Sequence, residues 1–216
     1  MPAQESSSVV QIGEWTVQPA IDDALISQLA ARQSMNMGRW DDALRLVNAS
    51  LAQDPLNPFS HLVLGWIQSH HGRLAEAEAA FRRTVEISPT FTSAHFYLGF
   101  VLFARGQREA AAAEFLKETD NATHLEGSMI ANFILGAKVD SDAALAQYIK
   151  RYGNFPFSVA ENYAFRGESD ESFKWLDRAF EQKDVALLYI VSDPVMKNLE
   201  GDPRYKVLLR KMNWPE

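Results

Sequence analysis

One interval governs what this chain can fold into. Gly38, Gly72 and Gly106 stand 34 residues apart, and Ala43, Ala77 and Ala111 keep the same spacing. Val47, Phe81 and Phe115 follow it, as do Pro55 and Pro89 and the pairs Leu64-Gly65 and Leu98-Gly99. A fixed period of this length marks stacked structural repeats rather than one closed core. Within a period, Leu62, Trp66 and Ile67 fall at helical spacing before Gly72, and Leu74, Ala77, Phe81 and Val85 do so after it. Each unit is therefore a pair of helices. Glycine ends the first helix in the left-handed region, alanine permits close approach of the second, and proline stops it. A lone pair cannot bury its apolar stripe, so the pairs must stack.

Composition agrees and excludes much else. The 216 residues are 47% hydrophobic and 23% charged, which excludes disorder throughout. A net charge of −7 argues against broad binding to nucleic-acid phosphates, which requires a basic stripe. The chain has no cysteine, so disulfides and thiolate chemistry are absent. It has no apolar run of membrane-spanning length, and residues 1–8 lack the basic and apolar regions of a secretory signal. A cytoplasmic location is the expectation.

The repeated residues resemble the tetratricopeptide repeat. Leu64-Gly65, Gly72, Ala77, Phe81 and Pro89 meet its pattern, and Leu98-Gly99, Gly106, Ala111 and Phe115 meet it again. The first unit has Gly38, Trp40, Ala43 and Pro55, but Ala30-Ala31 replaces Leu-Gly. His61 and His95 stand where the family usually has tryptophan. The resemblance implies an all-α, right-handed superhelical solenoid of about five helix pairs. After Phe115 the period slips, and Lys117-Glu118-Thr119-Asp120-Asn121 breaks the helix. A fourth pair is read from Met129, Ile130, Phe133, Ile134 and Leu135, then Ala143, Leu145, Tyr148 and Ile149. A fifth follows in Val159, Tyr163, Gly167, Ser172, Trp175, Leu176, Ala179 and Phe180. Asp193-Pro194 and Asp202-Pro203 each read as the start of a short closing helix. Leu187, Leu188, Val191, Val195, Leu208 and Leu209 are expected to face inward there. The expected division is a leader or strap over 1–23, a solenoid over 24–184 and capping helices over 185–216.

The second half is also similar to the C-terminal repeat region of large bacterial winged-helix or nucleotide-cyclase signalling proteins. The likeness rests on Arg151-Tyr152-Gly153, Ala160-Glu161-Asn162-Tyr163-Ala164, Arg166-Gly167-Glu168, Phe173-Lys174-Trp175-Leu176 and Gly201-Asp202-Pro203-Arg204. It implies a bacterial signalling or scaffolding role without DNA binding or cyclase activity. Residues 9–17 are β-branched and aromatic, unlike the repeats, and read as an isolated strand. Such a strand is either a loose leader or a strap that docks on the solenoid or joins two copies.

Catalysis finds no support. No Gly-x-Ser-x-Gly elbow, phosphate loop or His-Glu-x-x-His spacing occurs. Five histidines, at 61, 70, 71, 95 and 124, lack zinc-ligand spacing, and His70-His71 reads as a solvated corner. Asp41-Asp42, Glu76, Glu78, Asp170 and Glu171 lie at the starts of second helices and complement their dipoles. Neither an enzyme, a metal site nor a cofactor is expected. The family's inner-face positions point instead to Phe59, Leu62, Trp66 and His70 in the second repeat, and to Phe96, Phe100 and Phe103 in the third. Comparison with the carboxylate clamp of many relatives leaves only Arg32 to serve, so a clamp is not expected. The expected site is an apolar groove for a peptide or helix of a protein partner. Two other readings stand beside it: a regulatory groove for a small apolar ligand, and aromatics buried by tight curvature of the stack.

Overall fold

The computed structural model describes residues 10–12, 15–17, 30–31, 33–34, 38–119, 121–191, 193 and 195–214. The expectations for residues 1–8, and for Arg32 as a clamp residue, lie outside them. At the N-terminal end, β1 (Val10–Ile12) pairs antiparallel with β2 (Trp15–Val17), with Val10 opposite Val17, Gln11 opposite Thr16 and Ile12 opposite Trp15. This corrects the reading of an isolated strand. Two residues separate the strands, enough for a hairpin, so the backbone groups find partners locally.

Contacts divide the chain into two compact units, residues 1–94 and 95–216. In the first, helical residues at 30–31 and 33–34 precede α1 (Trp40–Gln53), and α2 (Pro58–His70) is followed by α3 (Leu74–Ile87). Asn57 caps α2 by accepting from the Ser60 N–H at 3.0 Å, with Pro58 in the first turn where no N–H is needed. Gly38 and Gly72 hold φ of 69° and 79°, so each first helix ends as the spacing predicts. Ala31, Ala43, Leu46, Val47, Val63 and Ile67 form the core, and the Ser50 and Ser60 hydroxyls bond at 2.8 Å inside the unit.

The Leu-Gly motif has a direct steric reason. A Cβ built on Gly65 would sit 2.5–2.7 Å from the Phe81 ring, and one on Gly99 would sit 2.9 Å from Phe115. Each of these two repeats thus locks an aromatic ring of its second helix against bare backbone on its first.

The second unit comprises α4 (Ala94–Ala104), α5 (Arg108–Phe115), α6 (Asn121–Ile134), α7 (Lys138–Tyr152), α8 (Pro156–Phe165) and α9 (Ser169–Glu181). Consecutive helices form pairs, as expected. Gly106, Gly136 and Gly167 take φ of 77°, 77° and 73°. The turn spacing therefore contracts from 34 residues to 30 and then 31. The alanine of the earlier second helices becomes serine, and it is fully buried. Ser141 Oγ donates to the Met129 carbonyl at 2.9 Å, and Ser172 Oγ to the Ala160 carbonyl at 2.8 Å. Of the residues from which the fourth pair was read, Ala143 is exposed and Leu135 lies past the last turn of α6, whereas Ser141, Ala144, Leu145 and Tyr148 face inward. Gly136→Ala is expected to cost about 1 kcal/mol in urea melts, because φ of 77° suits only glycine. A neutral result would show that the turn re-forms another way.

The chain closes with a 3-10 turn at Val185–Tyr189, a second at Met196–Leu199 and α10 (Pro203–Lys211). Asp202 caps α10 as predicted, accepting from the Arg204 N–H at 2.9 Å. Asp193 starts the other expected short helix, which is of the 3-10 type. Leu187, Ile190, Met196, Leu199, Tyr205 and Leu208 share one core with Phe157, Ala160, Phe173 and Leu176 of the last pair. Val195 and Leu209 pack against it. Leu188, 64% exposed, and Val191, 37% exposed, point outward, contrary to expectation. The cause is the three-residue period of the 3-10 turn, which aims Leu187 and Ile190 inward and their neighbours out.

Candidate functional site

The first helices carry the candidate residues, and each unit presents its own set. In the first unit, Phe59 and Trp66 lie one helical heptad apart on α2 and meet edge to face at 6.4 Å. Phe91 joins them, 6.4 Å from Phe59. Both α2 rings are half-exposed. Leu62 is only 3% exposed, so it belongs to the packing beneath them. His70 Nδ1 lies 2.9 Å from the Trp66 carbonyl and must therefore carry the proton. His71 stacks on Trp40 with centroids 5.1 Å apart. The pair is half-buried and partnered, which corrects the reading of a solvated corner.

In the second unit the aromatic run is longer than the sequence suggested. Phe96, 6% exposed, is core, with its ring 4.9 Å from Phe100 and 5.7 Å from Phe115. Phe100 and Phe103 are half-exposed, and both meet Phe165 of α8, at 6.0 and 5.0 Å. Phe133 of α6 reaches the same ring at 6.1 Å. Three consecutive first helices thus build one aromatic surface around Phe165. That residue was not singled out from sequence: it stands two before Gly167, at the position of His70 and Ala104, and the inner-face positions were read only in the second and third repeats. The alternatives of burial and exposure are both partly realised: the rings touch one another, Phe96 is buried, and Phe100, Phe103, Phe133 and Phe165 are only partly buried.

Polar groups at the edge are tied down. Arg166 is buried beside this surface. Its Nε donates to Glu168 at 2.8 Å, its Nη2 pairs with Asp142, and its guanidinium lies 5.9 Å from the Phe133 ring. Ion pairing to Arg166 and Lys138 holds the Asp142 carboxyl below its usual range. The histidines in the tryptophan positions serve packing. His61 Nε2 donates to the Pro55 carbonyl at 3.0 Å, and His95 Nδ1 lies 2.7 Å from Glu114 Oε2. Burial raises the Glu114 pKa, but bonds from Lys117 and His95 outweigh it and leave it lowered. Asp41, Asp42, Glu76, Asp170 and Glu171 occupy first turns of second helices. Among the described residues no three His, Asp or Glu side chains are grouped to hold a metal ion. None of their helices is long and apolar enough to cross a membrane.

Comparison with known proteins agrees with this geometry. Residues 29–90 match the family model described as tetratricopeptide repeat. No curated protein sequence matches the chain. Among solved structures, the pilF protein of Pseudomonas aeruginosa superposes with a TM-score of 0.59 at 14% identity, over 89% of this chain and 93% of its own. PilW, titled a widely conserved type IV pilus biogenesis factor, gives 0.59 at 19% identity, over 91% and 97%. The MamA protein gives 0.51 at 21% identity, over 78% and 96%. Identities this low speak to fold alone. Glycine turns, ring-on-glycine packing and the matched segment carry one conclusion: residues 29–90 carry tetratricopeptide repeats, and the helix pairs that follow share their fold.

Proposed function

We propose that this chain is a protein-interaction scaffold whose first-helix faces bind a peptide or helix of a partner, in bacterial signalling or assembly. One observation carries the reading. Phe100, Phe103, Phe133 and Phe165 meet across three consecutive first helices, and each is only partly buried. Phe59 and Trp66 offer a smaller surface of the same kind in the first unit. Affinity would come from burying these rings, which are rigid and bring large apolar area at little entropic cost. Catalysis forms no part of the proposal.

The test uses a photoreactive phenylalanine analogue at position 103, with cross-linked partners identified by mass spectrometry. Phe103→Ser and Phe165→Ser should each weaken the identified complex about tenfold. Val139→Ser, at an exposed apolar residue on a second helix, should leave it unchanged. Equal weakening by all three variants, or by none, would reject the aromatic face as the binding surface.

A further inference from the structure

The aromatic surface of the second unit gives way to carboxylates on one side. On α8, Ser158, Glu161 and Phe165 follow at intervals of three and four residues and are partly exposed. Phe157, Val159, Ala160, Asn162 and Ala164 between them are buried. That spacing sets the three on one helix face, with Glu161 one turn, about 6 Å, before Phe165. On α6, Glu126 and Phe133 are partly exposed and stand two turns, about 10 Å, apart, while Met129, Ile130 and Ala131 between them are buried. Phe133 meets Phe165 at 6.1 Å, so α6 and α8 come together at their C-terminal ends. Both carboxylates therefore lie on the same side of the aromatic contact, toward the helix N-termini.

The opposite side carries the other sign. Arg108, which opens α5, sets its guanidinium 5.5 Å from the Phe103 ring and donates to the Ile134 carbonyl at 3.4 Å. Arg166 follows Phe165 and is neutralised by Asp142 and Glu168. The two glutamates have no such compensation. Among the described residues, no lysine, arginine or histidine forms an ion pair with Glu126 or Glu161. Their titration agrees with this shortage of positive charge. Burial and the charge of Asp193 push the Glu126 carboxyl up to about 8, and burial with Asp193 and Glu126 holds Glu161 well above the ordinary carboxylate range. A cation brought to them restores the ionised forms.

We propose that the partner segment bound on this surface is basic as well as apolar: a lysine or arginine, one to two helical turns from its apolar anchors, seats against Glu126 and Glu161. This rests on the aromatic face being the binding surface, and adds the sign and place of the partner's charge. Burial of the rings supplies the affinity, and the carboxylates supply discrimination, since a glutamate at that place would bring like charges together. The unlike ends also set direction. Reversed, the same segment would carry its cation to Arg108 and Arg166. The net charge of −7 favours encounter with a basic partner.

A randomised dodecapeptide library displayed on phage and selected against the full chain tests this, with Phe103→Ser and Phe165→Ser sorting the binders. Peptides lost on both serine variants occupy the aromatic face. Among them, lysine or arginine should be enriched on one side of the apolar positions. Replacing that residue by glutamine should weaken binding to the wild type about tenfold, and glutamate should weaken it further. On the double variant Glu126→Gln, Glu161→Gln, the lysine and glutamine peptides should bind alike. Face-binding peptides without the enrichment, or a lysine preference that survives in the double variant, would overturn the charge assignment and leave the aromatic face standing. A selection that yields no binder, or only binders indifferent to both serine substitutions, would reject the face and this inference with it. The glutamine exchange in the peptide is read on the wild type, so it does not depend on how any variant folds.

Discussion

Phe81→Ala should lower stability by about 3–5 kcal/mol in urea melts, with a matching loss at Phe115→Ala. Both rings are fully buried. Each also occupies space that a side chain on the facing helix would otherwise fill, and this makes a sharper test possible. Gly65→Ala alone forces its new methyl to within 2.7 Å of the Phe81 ring, an overpacking expected to cost about 1–3 kcal/mol. Once Phe81 is alanine, the same methyl enters a vacated cavity. It then brings the helix-propensity advantage of alanine over glycine, about 1 kcal/mol. The double variant should therefore be more stable than Phe81→Ala alone, reversing the sign of Gly65→Ala between backgrounds. Equal effects in both backgrounds would show that ring and glycine do not touch.

That interlock also explains why the fold was largely legible in the sequence. The 34-residue features are the contact itself: a glycine with positive φ, a small residue at the closest approach, and a ring resting on bare backbone. They need no distant partner to be recognised. Where the period contracts, the signal is weaker because substitutes do the same work. Ser141 and Ser172 take the place of alanine by donating back to a carbonyl of the facing helix, and Gly136 turns the chain four residues early. Tracking glycines alone at 30 and 31 residues sets the register of the fourth pair, with its turn at Gly136.

The site was legible only in part. Helical position marked Phe59, Trp66, Phe100 and Phe103, but it could not tell Leu62 and Phe96 apart from them. Those two differ in how deeply their own helix is seated against its neighbours, which periodicity does not encode. Phe165 escaped because the inner-face positions were followed only through the third repeat, and the fifth pair lies beyond two contracted turn spacings. The hairpin at Val10–Val17 likewise exceeds single-strand pattern reading, since pairing is a property of two segments.

Deleting residues 185–216 should convert the protein into soluble aggregates with reduced helical circular dichroism. Six buried side chains of this segment, Leu187, Ile190, Met196, Leu199, Tyr205 and Leu208, cover Phe157, Ala160, Ala164, Phe173, Leu176 and Ala179 of the last pair. At roughly 1.5–3 kcal/mol each, the apolar burial lost is on the order of 10 kcal/mol before chain entropy, comparable with the whole stability of a domain. A stacked repeat left with its apolar face bare has no other surface to bury it against. Specific bonds hold the segment in place as well. Asp184 joins the Ala186 N–H at 3.0 Å to the Phe157 N–H at 3.1 Å, the Tyr205 hydroxyl donates to the Ile190 carbonyl at 3.0 Å, and Arg204 lies over Phe173 at 4.3 Å. Tyr205→Phe removes one of these and keeps the apolar cover, so it should cost only about 1–2 kcal/mol and leave the protein monodisperse. Sedimentation velocity separates the cases. A truncated chain that sediments as a single, fully helical species would show that the last pair buries its own face and that the closing turns merely decorate it.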